Sequence, residues 1–175
     1  MAYGLNEFCA DLHEILVAKG LTGLSEVAER LKILVLDPQF VAATFEDSTA
    51  PQRLLFHDPE TDARVLAHVQ QAGKAGVPHS HGTSWAIYGN ARGRTDMTEW
   101  RRVNPETEDH AVLEACDRYS IGPGQTRAYG PHVIHSTSHP DGAWVIRVTG
   151  TDLDKLPRYY FRSKKDKILQ TAESA

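Results

Sequence analysis

Cysteine is scarce in this chain: 175 residues hold only Cys9 and Cys116. Two cysteines so far apart exclude a disulfide framework and a CxxC site, and they fit a reducing compartment. Long hydrophobic runs are missing too; none approaches the roughly 20 residues needed to span a bilayer. The opening MAYGLNEFCADLHEIL has neither the basic stretch nor the unbroken apolar core of a secretory signal, so a cytoplasmic setting is expected. Basic charge is not in excess. A net charge of −4 argues against nucleic acid or an anionic membrane as the main partner. No GxGxxG, P-loop or GxSxG motif occurs, which leaves nucleotide binding and serine hydrolysis unsupported. Internal repeats and low-complexity linkers are also absent, so one domain with its own core is expected.

What is present divides the chain in two. Over residues 1–50, Leu5, Phe8, Leu12, Ile15 and Leu16 recur at helical steps, with Gly20 as a stop signal. A second helix is predicted from near Ser25 to Asp37-Pro38, with Val27, Leu31, Leu34 and Val35 on one face, and a short third helix over 39–45. From Pro51 the pattern changes to short runs rich in β-branched and aromatic residues, among them RVLAHVQ, TSWAIYGNARG, HVIHSTS and GAWVIRVTG. Turn signals such as DPETD, NARG, GPGQ and HPDG separate them. About seven strands at this spacing predict an all-β sandwich or barrel over 51–161, with residues 1–50 as a helical cap of the same domain. Residues 162–175 read as a charged tail, partly helical or disordered.

Nine histidines are the unusual count. In VPHSHGTSWAIYGNARGR, His79 and His81 are one residue apart, so on a strand they point the same way with Cα atoms roughly 7 Å apart. Two neutral imidazoles converging like this suit a first-row transition metal. By itself HxH reads equally as two histidines on a solvated strand face. Gly73, six residues before His79, Pro78 directly before it, and His135 on a later predicted strand after Gly130-Pro131 make the larger pattern more specific.

That larger pattern resembles the two-part signature of the cupin superfamily, with GKAGVPHSH as its first half and YGPHVIH as a looser second half. Over most of residues 1–161 the chain is similar to the thiol dioxygenase branch, the cysteine dioxygenase and 3-mercaptopropionate dioxygenase group. The resemblance rests on PQRLLFHDPETDARVLAHVQQAGKAGVPHSHGTSWAIYGNARGR and TGTDLDKLPRYYF. It implies a mostly β fold, the cupin double-stranded β-helix or jelly-roll barrel. His79, His81 and His135 would hold Fe(II), and a small anionic thiol would be oxidised to a sulfinate by O2. Arg53, in PQRLLFHDP, would pair with the substrate carboxylate. Cupins also dimerise through edge strands, so a homodimer is one expectation.

The departures are as informative. Many cupins add a glutamate ligand four or five residues after the second histidine, where this chain has Trp85 and Ala86. Three neutral ligands leave a divalent ion its full charge and open positions, which suits Fe(II) and also Ni(II) or Zn(II). The branch's Ser-His-Tyr set is replaced by Ala143, Arg147 and Thr149. Its tyrosine would have to come from Tyr88, Tyr129 or Tyr159. Arg147 brings a guanidinium towards the interior and is expected to pair with an acid such as Glu99 or to bind an anionic substrate, alongside Arg53. Trp85, Tyr88, Tyr129, Thr149 and His139 are the predicted pocket residues. His57 and His68 are expected to be structural, and His13 and His110 exposed. The alternatives to thiol oxidation are a lyase, isomerase or carbon–carbon-cleaving dioxygenase on the same site, or a non-catalytic cupin that binds a small anion.

Overall fold

The structure, a computed structural model, describes residues 3–164 and 167–173. Three helices come first: α1 (Leu5–Lys19), α2 (Leu24–Leu36) and α3 (Pro38–Phe45). The Glu7 carboxylate accepts from the Gly4 N–H at the start of α1. Asp37 caps α3 by accepting from the Gln39 and Phe40 N–H groups, and Pro38 at the first helical position loses no bond there. The apolar stripe of α1 and α2, with Phe8, Leu12, Val27, Leu31 and Leu34 at 0% exposure, is the face that the sequence periodicity marks.

The remainder is strand: β1 (Gln52–His57), β2 (Arg64–Gln70), β3 (Lys74–Ala75), β4 (His79–Ser80), β5 (Ala86–Gly93), β6 (Thr95–Arg102), β7 (Leu113–Ile121), β8 (Thr126–Tyr129), β9 (Ile134–His139), β10 (Ala143–Thr149), β11 (Arg158–Lys164) and β12 (Lys167–Glu173). They form two antiparallel sheets, one ordered β1-β2-β10-β5-β8, the other β12-β11-β4-β9-β6-β7 with β3 added against β9. Within the expected charged tail, residues 162–164 finish β11 and 167–173 form β12, which pairs with β11 from Arg158↔Glu173 to Lys164↔Lys167. An edge strand tolerates charge on either face, so composition alone read it as unstructured.

The helices cover the outer face of the first sheet. Residues on that face, Val65, Ala67, Ile87, Ile146 and Val148, share one apolar cluster with α1, α2 and α3. Leu31 approaches β5 so closely that a Cβ on Gly89 would lie 2.9 Å from its side chain, which is why a side-chain-free residue stands there. The alternate residues of the same strands face the second sheet. Ala86, Tyr88, Tyr129, Ala143 and Val145 meet Met97 and Ile121 there in a smaller, interior cluster. At the end of β5, Gly93 takes φ +73° against the Gly142 carbonyl, a position no Cβ could occupy.

Candidate metal centre

Strand pairing brings the three histidines together. β4 holds only His79 and Ser80, and His79 lies directly opposite His135 of β9. His81 follows just beyond the strand. The ligand nitrogens of His79, His81 and His135 all lie within 4.8 Å of one another. Ring centroids are 5.2 Å apart for His79–His81, 4.6 Å for His79–His135 and 5.0 Å for His81–His135.

These residues fit a divalent ion on their own geometry. The ring of His79 shares its Nδ1 with the Val77 carbonyl at 3.0 Å, the arrangement that leaves Nε2 as the lone-pair nitrogen. His135 is 1% exposed. Burial pushes its pKa down to about 3, the charge of His79 adds to the fall, and a hydrogen bond with the Val133 backbone works the other way. A neutral imidazole is the form that binds metal. Its Nδ1 is buried and has no partner at full hydrogen-bond geometry.

Tyrosines surround the cluster. The Tyr88 hydroxyl on β5 is 3.3 Å from His135 Nε2, which places it at the edge of the centre. Tyr129 on β8 stacks flat on His135, with centroids 4.6 Å apart and planes 1° apart. Tyr160, opposite His79 on β11, approaches that ring at 5.8 Å. Behind Tyr129, its hydroxyl meets that of Tyr119 at 2.5 Å; Tyr119 donates to Glu99 Oε1 at 2.8 Å, and Arg127 donates to the same oxygen at 2.6 Å. Burial pushes the Tyr119 hydroxyl up to about 12, with the Glu99 contact adding to the rise and the Tyr129 contact opposing it.

Arg147 lies between Leu66 and Tyr88 in the ladder and so shares the interior face with Tyr88. It does not pair with Glu99, whose carboxylate is taken by Arg127 and Tyr119. Its Nε is buried without a hydrogen-bond partner. With Arg64, Leu66, Thr149 and Asp152 it lines a cavity of about 170 Å³ at one end of the barrel. The other three buried atoms lacking a partner besides His135 Nδ1, among the described residues, are Arg64 Nε, His68 Nε2 and Gln70 Oε1. All three belong to the inner face of β2.

Several predicted pocket residues stand elsewhere. Arg53 pairs with Ala67, a member of the helix-facing cluster, and donates to the Thr44 carbonyl of α3 at 2.8 Å. It serves the cap and is not brought to the histidines. Trp85 also belongs to the helix-facing cluster. The two-residue alternation that should align it with His81 breaks at Gly82, where φ is +58°. Thr149 shares the Arg147 cavity, with its hydroxyl donating to the Thr151 carbonyl at 2.8 Å. His139 still belongs to β9 and faces inward, but four residues from His135 it bonds Thr95 through Nδ1 at 3.1 Å. Tyr159 lines an outer cavity with His132 and Phe161 instead of facing the histidines. His68, expected to be a satisfied structural residue, faces the interior with an unpartnered Nε2, and burial with the nearby Arg147 charge takes its pKa down to about 3. His13 is not simply exposed, since it bonds the buried Asp58 at 2.9 Å. Tyr160 and the Glu99–Tyr119 pair escape the sequence reading because only cross-strand register puts them beside the site.

No family model matches the chain, and no curated protein matches it. Solved structures do. A cupin superfamily protein from Desulfitobacterium hafniense is similar at 11% identity over 58% of this chain and 76% of that one, with a TM-score of 0.42. KdgF from Halomonas sp. is similar at 17% identity over 62% and 88%, with a TM-score of 0.44. The DMSP lyase DddQ from Ruegeria pomeroyi is similar at 15% identity over 56% and 44%, with a TM-score of 0.41. Two of the neighbours are described as cupins, the Desulfitobacterium protein and an RmlC-like cupin from Shewanella frigidimarina, and at these TM-scores the likeness carries no argument about this chain.

Proposed function

We propose that the chain is a metal-dependent cupin enzyme acting on a small anionic substrate, and that its reaction is the oxidation of a small thiol acid to a sulfinate by O2. The observation that carries the reading is the convergence of His79, His81 and His135, with the Tyr88 hydroxyl at 3.3 Å from His135 Nε2. Arg147 contributes an unpartnered guanidinium nitrogen on the same inner wall. A divalent iron ion held by the three imidazoles would supply the redox chemistry that joins a thiolate to dioxygen.

The chain's own residues do the rest. Arg147 takes the substrate's carboxylate through its planar fork and fixes the reach of the molecule towards the histidines. Tyr88 donates a hydrogen bond to the oxygen that joins sulfur and keeps its proton. The thiol loses its proton, and both atoms of O2 end on sulfur, so no outside reductant is consumed. Tyr129 and Tyr160 limit water around the centre with their rings. The free thiols of Cys9 and Cys116 agree with a cytoplasmic setting.

A second reading has its own observation. A tyrosine hydroxyl at this place also suits removal of a proton from a substrate carbon, as a lyase or isomerase requires. Elemental analysis comes first: about one equivalent of iron in the wild type and none in the His79→Ala, His135→Ala double variant is the expected outcome. Oxygen uptake with mercapto acids then separates the readings. Uptake matched to sulfinate supports thiol oxidation, whereas turnover of a non-thiol acid without oxygen uptake favours the second. Iron-loaded protein inert towards both classes would overturn the enzyme proposal and leave a binding module.

A further inference from the structure

His79 and His135 are opposite one another in the ladder, yet they are held by different means. His79 has the usual outer support, a carbonyl at its Nδ1. His135 is held more weakly: its buried Nδ1 has no partner at full hydrogen-bond geometry, and of the backbone only that of Val133 acts on the ring, whereas a metal-ligating histidine almost always has a firm partner at its second nitrogen. What lies against His135 is the Tyr129 ring, parallel to within 1° at 4.6 Å. We propose that Tyr129 is the positioning residue of His135. The stacked ring sets the plane of the imidazole where the Val133 backbone contact alone holds it loosely, and a chain of groups reaching the barrel surface fixes the stack. The proposal rests on the three-histidine reading of the centre.

The chain has a defined direction. Glu99 can only accept, and it receives a proton each from Tyr119 and Arg127. Tyr119 has thereby spent its one hydroxyl proton, so in the 2.5 Å contact Tyr129 is the donor and Tyr119 the acceptor. Arg127 closes the set from outside. Its guanidinium carbon sits 4.7 Å above the Tyr119 ring, and 44% of its side chain is exposed. The order is Arg127, Glu99, Tyr119, Tyr129, His135, each touching the next across strands β8, β6, β7, β8 and β9. Tyr129 belongs to the first sheet and His135 to the second, so the stack also bridges the two sheets where the metal ligands converge. A ring clamped at its hydroxyl end cannot slide, which a merely space-filling aromatic could do.

The test is titration with Co(II), whose visible absorption bands report the symmetry of its ligands. Tyr129→Leu should weaken Co(II) binding about tenfold or more and shift the bands, while Tyr129→Phe, which keeps the ring but frees its hydroxyl end, should shift the bands in the same direction and weaken binding by only about threefold. Met97→Leu, in the same interior cluster, should change stability without moving the bands. Wild-type affinity and spectrum in Tyr129→Leu would overturn the proposal, as would Tyr129→Phe losing as much as Tyr129→Leu. If Tyr129→Leu does not fold, Tyr119→Phe and Arg127→Met take its place. They loosen the chain from outside, and unmoved bands in both would overturn the clamp. The underlying reading fails separately, and visibly, if wild type and His135→Ala bind Co(II) alike.

Discussion

The two faces of the β1-β2-β10-β5-β8 sheet alternate along the same strands and carry opposite chemistry. On β2, Val65, Ala67 and Val69 turn to the helices, while Arg64, Leu66, His68 and Gln70 turn to the barrel interior. On β10, Ile146 and Val148 pack under the helices, while Arg147 and Thr149 look inward. The outer face is closed and apolar. The inner face bears four of the five buried side-chain polar atoms without a partner among the described residues, and the fifth is on His135. Buried polar groups are nearly always satisfied in a protein that has only to fold. The proposed substrate would meet its polar groups on this wall. The difference points to a division of labour that can be tested: the helix-facing side as the stable core, and the inward side as the wall of the proposed site.

Perturbing each face should separate these roles. Leu31 is fully buried between α2 and β5. Leu31→Ala should lower the unfolding free energy by about 2–5 kcal/mol in urea titration, leaving metal stoichiometry unchanged in the protein that remains folded. Arg147→Met should do the reverse. Removing a half-buried, unpaired guanidinium should leave stability equal or raise it by about 1–2 kcal/mol. Turnover of anionic substrates should fall about tenfold to a hundredfold. A loss of stability in that variant would break the comparison, because Arg147 would then belong to the scaffold.

The pH dependence sharpens it further. His68 has its pKa lowered to about 3 in the fold, first by burial and then by the Arg147 charge. Below pH 6.5 the unfolded ring binds a proton that the folded ring refuses, so stability should fall as pH drops from 6.5 towards 3, by at most about 1.4 kcal/mol per unit for this group. His68→Gln should flatten that slope in metal-free protein; an unchanged slope would mean that other groups set it. The smallest effect belongs to the outer side. His13 has its pKa raised, chiefly by its bond to Asp58. Burial raises that of Asp58, but hydrogen bonds from Thr61, His13 and the Glu60 N–H outweigh it, and the net shift is downward. The His13 contribution is complete below pH 6.5 and is lost as pH rises through its raised value; that of Asp58 is present above pH 3.8 and is lost as pH falls through its lowered value. His13→Gln should therefore cost a little stability near pH 5 and nothing well above neutrality, measured by thermal unfolding at the two pH values.

Much of this was legible in the order of residues. The helical spacing from Leu5 to Val35 specifies an apolar stripe because a helix repeats every 3.6 residues whatever it packs on, and Asp37-Pro38 specifies where one helix stops and the next begins. His79 and His81 declared themselves through a two-residue step, and His135 through its place after a Gly-Pro turn. Arg53 and Trp85 did not follow. Parity along a strand can be read from sequence only while the strand lasts, and the turn at Gly82 ends it before Trp85. For Arg53, nothing local tells which face of the sheet the helices will cover. Which side chains meet across strands was closed to the sequence as well. The register His79↔His135↔Glu99 is fixed by how two sheets close on each other, and it alone puts Tyr160 by one ligand and the Tyr129 stack on another. Local periodicity determined the elements, the core stripe and the His79–His81 pair, since those depend on neighbours in the chain, and His135 was joined to that pair only by the family resemblance. The tertiary structure decided which arginine and which tyrosine face them, because that depends on hydrogen-bonded pairings between residues tens of positions apart.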